Sequence, residues 1–130
     1  GFTTMKYCIH RAQSIEFIIA GTLGVGTDLG RTHNVKYDLV KFSVDAVVKT
    51  AGTTNSTDFD INDDSTTIIT TKPSIASGAT SDLNNVCDNP TTVIAAGSNL
   101  TADIDACSTT APVDAYITLW VAPEAWLYME

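Results

Sequence analysis

From Val35 onward the chain alternates apolar and polar residues with a period of two, interrupted at short intervals by clusters of Gly, Asn, Asp, Ser and Pro. That is the period of an extended strand with one face in a core; an amphipathic helix would repeat every 3.6 residues. In KFSVDAVVKT, Phe42, Val44, Ala46 and Val48 alternate with Ser43, Asp45, Val47 and Lys49, which predicts a half-buried strand continuous with or bent from VKYDLV. AGTTNS is a turn punctuated by Gly52 and Asn55. In TDFDI, Phe59 and Ile61 point one way and Asp58 and Asp60 the other, and NDDS then turns the chain into TTIIT. Two strands joined by Asn/Asp/Ser make a hairpin.

Further on, Pro73 confines TKPSIASG to an edge or a loop. Residues 78–92 read as a long polar loop, too rich in Asn, Asp and Pro to be regular. VIAAGSNLTADIDA gives a short apolar segment, a turn at Gly97 and a strand in which Leu100, Ala102 and Ile104 alternate with Thr101, Asp103 and Asp105. STTAPVD is a loop, and AYITLWVAP is the last strand, with Tyr116, Thr118 and Trp120 opposite Ile117, Leu119 and Val121. Trp120, in so apolar a strand, reads as core. SIEFIIA and GVGT supply the first strands. Residues 1–13 read as an N-terminal arm, 14–123 as the β-domain and 124–130 as a short C-terminal tail. TDFDINDDSTT and TADIDACSTT also echo each other, without amounting to a repeat architecture.

Seven to eight short strands at regular spacing predict an all-β fold, an antiparallel β-sandwich of jelly-roll type. The nearest rival, an immunoglobulin-like sandwich, lacks its Cys…Trp…Cys signature. The composition agrees: 44% of residues are apolar and only 17% charged, and Thr and Val suit a pleated surface. At 130 residues one domain with a real core is expected.

The net charge of −8 is uneven. Residues 1–49 hold six Lys/Arg against four acids, whereas from residue 50 onward Lys72 faces eleven acids. A main body of that sign repels phosphates, so no nucleic-acid partner is expected. No run approaches the ~18 apolar residues of a membrane span, so no membrane partner is expected and the chain reads as soluble. The opening GFTT resembles a mature pilin start, yet MKYCIHRAQ follows where a long apolar helix would be required. FIIAGTLGVG carries three glycines, which is a poor signal-peptide core.

Asp58, Asp60 and Asn62 match the opening of an EF-hand loop, but Asp63 stands where Gly is needed and Ile69 where a bidentate Glu is needed. A looser cation site using Asp60, Asn62 and Asp64 stays open. The i, i+2 pairs Asp58/Asp60 and Asp103/Asp105 each project from one strand face, as in any wet strand, so glycosidase chemistry does not follow. His10 and His33 have no partner pattern, and Cys8 with His10 offers two metal ligands of the usual four. Gly21–Gly30 has its glycines in the wrong order for a phosphate loop and serves better to bend an edge strand. No G-x-S-x-G elbow occurs. Asn55 and Asn99 head formal glycosylation sequons. Cys8, Cys87 and Cys107 cannot all pair within one chain and read as reduced thiols, with a Cys87–Cys107 bridge left open. Neither a cofactor nor a catalytic residue is expected.

The series AVVKTA, DFDINDDSTTI, KPSIASG, IAAGSNLTADIDA and AYITLWV, between Ile19 and Val121, resembles the small β-sandwich modules of tailed-bacteriophage virions: capsid decoration (cement) proteins, head fibres and tail proteins. The chain departs from that pattern at Asp63-Asp64, which replaces an Asn-Gly-like turn, and at Cys107 in the second turn. The resemblance implies a non-enzymatic homotrimer, assembled in the host cytoplasm and bound to the major capsid protein on the outer capsid surface. Attachment needs an adhesive arm or face. Phe2, Lys6, Tyr7, Ile9 and Arg11 in the arm, and Trp126, Leu127 and Tyr128 in the tail, are the candidate interface residues. The same arm can pair within its own sandwich and the same tail can cap its own core. The alternative class is a head-fibre or tail module that binds host glycans; it requires exposed Trp or Tyr platforms, which a core Trp120 would not provide.

Overall fold

The computed structural model describes residues 13–86 and 93–123. Among these residues nine strands run in order β1 (Gln13–Thr22), β2 (Gly26–Asn34), β3 (Leu39–Thr50), β4 (Thr57–Asp63), β5 (Thr66–Thr67), β6 (Ser74–Ile75), β7 (Ser81–Val86), β8 (Asn99–Ala106) and β9 (Val113–Pro123). They form two antiparallel sheets, β1-β9-β3-β7 and β2-β8-β4-β5, with β6 also on β4. If the short β5 and β6 are one interrupted strand, there are eight. They pair first with last, second with seventh, third with sixth and fourth with fifth. That nesting is the jelly roll, so the chain is an all-β sandwich of that type.

Alternation builds the core. Val44, Ala46 and Val48 of β3 lie beside Ala115, Ile117, Leu119 and Val121 of β9, with Phe17 from β1. They meet Phe59 and Ile61 of β4 and Leu100, Ala102 and Ile104 of β8. Phe17, Val44, Phe59, Ile61, Leu100, Ile117 and Leu119 are completely buried, and each large apolar side chain so placed contributes roughly 1.5–3 kcal/mol.

The β4–β5 connection is a two-residue hairpin in which Asp64 and Ser65 both take positive φ, 47° and 73°, the type I′ geometry that matches strand twist. β2 is an edge strand with two register shifts. Gly30 in it has φ +69°, and a Cβ there would lie 2.7 Å from the Ile18 carbonyl oxygen. The glycines of this segment do bend an edge.

Two sequence expectations need correction. The stretch 78–92 is not all loop, because Ser81–Val86 forms β7 at the edge of the first sheet. Its polar side chains serve the ladder instead of opposing it: Asn85 donates through Nδ2 to the Val44 carbonyl (3.3 Å), and Asp82 accepts from the Ser74 backbone N–H (2.8 Å). The strand over VKYDLV starts only at Leu39.

The described chain starts and stops at the same end of the sandwich. Gln13 pairs with Val121 and Leu39 with Pro123, and Val86 pairs with Ser43 on its way to that end. The loop carrying Tyr37, which is 67% exposed, is there too.

Candidate functional site

The two outer faces of the sandwich hold the polar and aromatic residues that the core does not absorb. On the β2-β8-β4-β5 sheet, β4 and β8 are the echoing segments, and they pair so that Asp60 stands directly opposite Asp103. Like charges so placed repel. Ligand-type oxygens of Asp60, Asp103 and Asp105 all lie within 4.8 Å of one another.

The sequence reading of Asp60 as a wet strand face is wrong. Asp60, Asn62 and Asp103 are buried, and β4 is covered on both sides for most of its length. The cover is an excursion in the edge strand. Between the pairings Asn62–Thr67 and Asp58–Ser74, β4 takes four steps and its partner seven. Pro73, at the end of this excursion, has no N–H to give a ladder, but its carbonyl accepts from the Phe59 N–H at 2.9 Å.

The surplus chain carries Lys72 over the acids. Its ammonium lies 3.3 Å from Asp60 and 3.0 Å from Asp105. The Asp105 hydrogen bond, with Asp60 assisting, holds the Lys72 pKa above its ordinary 10.5. Asp60 also accepts from the Thr67 hydroxyl (2.6 Å) and the Ile61 N–H (2.9 Å). Asp103 accepts from the Asn62 amide (2.6 Å) and the Asp28 N–H (3.0 Å). Each of these carboxylates is thus engaged by protein donors. Asp64 does not join them; at the hairpin tip it accepts from the Asn99 N–H at 3.0 Å. It lines a cleft of about 370 Å³ with Lys41, Asp63, Thr66, Thr67, Ile68 and Ser98.

The opposite outer face, on β1-β9-β3-β7, is not covered by any other described segment. Ile18, Tyr116 and Val47 form one row across β1, β9 and β3, and Glu16, Thr118 and Asp45 form the next. Trp120 stands beyond, opposite Ser14 and Ser43. Contrary to the sequence reading, Trp120 is not core: it is 36% exposed, and Tyr116 is 39% exposed. Both rings bond diagonally into the middle row. Trp120 Nε1–H donates to Asp45 at 3.0 Å, and the Tyr116 hydroxyl donates to Glu16. The Glu16 hydrogen bond raises the Tyr116 pKa above 10.0. Each ring is therefore drawn toward the sheet from its own side of Thr118. Thr118 was the signal in the sequence, as a polar residue sharing the parity of both rings.

Other sequence candidates have structural partners. His33 donates through Nε2 to the Glu16 carbonyl (2.6 Å) and packs edge-on against Phe17 with ring centroids 4.8 Å apart. Cys107 is a half-buried thiol whose Sγ lies 3.7 Å from the Leu23 carbonyl. Phe2, Lys6, Tyr7, Ile9, Arg11, Trp126, Leu127 and Tyr128, with Cys8, His10 and Cys87, lie outside the described residues. No helix among the described residues is long and apolar enough to cross a membrane. Comparison with protein-family models, curated proteins and solved structures finds no match.

Proposed function

We propose that this protein is a non-enzymatic structural component of a tailed-bacteriophage particle. In this reading it is a decoration (cement) protein that binds the major capsid protein as a homotrimer on the outer shell and stabilises it. The observation that carries the reading is that the described chain starts and stops at one end of the sandwich. Gln13 and Pro123, the first and last described residues, lie at one end of the sandwich beside the exposed Tyr37. One end is then available for attachment while the sheets face outward. The engagement of Asp60, Asp103 and Asp105 by Lys72 and neighbouring amides supports a structural role for the acids over a catalytic one.

The test is the native mass by light scattering, followed by sedimentation with expanded capsid shells. A particle of three times 13.8 kDa that pellets with shells supports the reading. A monomer that stays in the supernatant overturns it.

A second reading, a head-fibre or tail adhesion module for host glycans, is favoured by one observation. Tyr116 and Trp120 are exposed on a single sheet face, the feature that such a module requires.

A further inference from the structure

We infer that the outer face of the β1-β9-β3-β7 sheet is a binding platform for an extended oligosaccharide of neutral or amino sugars, stacked on Tyr116 and Trp120. The inference rests on the adhesion reading and deepens it by naming the site and the ligand class.

Tyr116 and Trp120 are four residues apart on β9, so they point to the same side about 13 Å from each other. A monosaccharide would reach one ring; a chain of sugars reaches both. Each ring's polar edge is bonded to a carboxylate lying between the two rings, Tyr116 to Glu16 and Trp120 to Asp45. These bonds fix the rings without help from a ligand and leave ring surface in water. The electron-rich π face attracts the weakly positive C–H groups on the apolar side of a pyranose. Such preorganisation lowers the entropy that binding would otherwise cost.

Charge selects among sugars. The strip between the rings carries Glu16 and Asp45, with Lys49 beyond Tyr116 on β3. Sulfated, phosphorylated or uronic units would set their charge against those carboxylates, while hydroxyls or an ammonium would donate to them. A carboxylate accepts more than one hydrogen bond, so exposed Glu16 can hold its tyrosine and a sugar hydroxyl together. Past Ile18 the face runs into a cleft of about 380 Å³ lined also by Ser14, Arg31 and His33, giving a bound chain room to continue around the β1 edge.

The same features argue against a protein occupant. Interface cores are depleted of charged residues, yet here two carboxylates and Thr118 lie between the aromatic anchors. An apolar partner would have to bury them, whereas a sugar chain presents both C–H faces and hydroxyls.

The test is a printed array of neutral, amino-sugar and acidic oligosaccharides probed with the full chain, then titration of the best binder by calorimetry. Binding to neutral or amino-sugar chains is expected, falling at least about tenfold in Trp120→Ala and in Tyr116→Ala. Val25→Ala, at an exposed apolar residue in the β1–β2 loop, should leave it unchanged. Thermal unfolding of each variant checks the fold, and the conservative Tyr116→Phe and Trp120→Phe, which keep a ring, should retain part of the affinity. Binding that survives both alanine substitutions overturns the platform while leaving the adhesion reading standing. Preference for acidic glycans overturns the ligand class. No binding to any glycan overturns the platform and the adhesion reading together.

Discussion

On the outer face of the β2-β8-β4-β5 sheet, carboxylates are drawn under cover and used up. On the outer face of the β1-β9-β3-β7 sheet, carboxylates hold aromatic rings that remain in water. The residue types are similar, and the difference lies in what the neighbouring chain does. Beside β4 an excursion in the edge strand brings back Lys72 and Thr67 to satisfy Asp60. Beside β9 the neighbours are two full-length strands, β1 and β3, and among the described residues no segment folds over the rings. A strand face becomes structural when something closes it and available for binding when nothing does.

The largest effects should fall on the closed face. Asp103→Leu strips the Asn62 amide and the Asp28 N–H of their acceptor. Leaving the buried Asn62 amide unpaired should account for most of a loss of roughly 2–3 kcal/mol, read from the shift in urea midpoint. An unchanged midpoint would mean that the closed face is not closed in solution.

Lys72→Met sharpens the point. It leaves Asp60 and Asp105 without their cation, but Lys72 itself is 39% exposed. The loss should therefore be only about 0.5–1 kcal/mol and shrink with added salt. Its pH dependence has a definite sign. A lysine whose pKa is raised in the fold contributes in full below its unfolded value of 10.5 and loses that contribution as pH climbs through the higher folded value. Wild type and variant should differ throughout neutral and mildly alkaline solution and converge above pH 10.5.

The smallest effect is on the open face. Tyr116 should titrate above 10.0, and Glu16→Ala should bring it back toward that value, followed by tyrosinate absorbance against Tyr116→Phe as a blank. No change between the two proteins would mean that Glu16 does not hold the ring.

Much of this was legible in the sequence. The alternation in SVDAVVK set Val44, Ala46 and Val48 apart from Asp45 and Lys49, as the core does, and NDDS announced its hairpin. Three features were not legible, each for a physical reason. Lys72 reaches Asp105 across 33 positions, a contact set by the edge excursion and invisible to any local pattern. β7 was hidden because Asn and Asp usually mark loops, yet Asn85 and Asp82 bond neighbouring backbone from an edge. Trp120 was assigned inward on hydrophobicity alone, although its parity with Thr118, and its partner strand's Asp45, pointed outward. An apolar residue on a strand's wet side is ordinary in composition and informative only in register.

The most direct test sets one residue from each face side by side: thermal and urea unfolding of Asp60→Ala and Trp120→Ala. Asp60→Ala orphans the buried Ile61 N–H and removes the partner of Lys72 and of the Thr67 hydroxyl, so a loss of roughly 2–3 kcal/mol is expected. Trp120→Ala removes a ring held at the surface, and its loss should stay within about 1 kcal/mol. Trp120→Ala costing as much as truncation of a core aromatic, about 3–5 kcal/mol, would contradict the open face and with it the division of labour between the two sides of the sandwich.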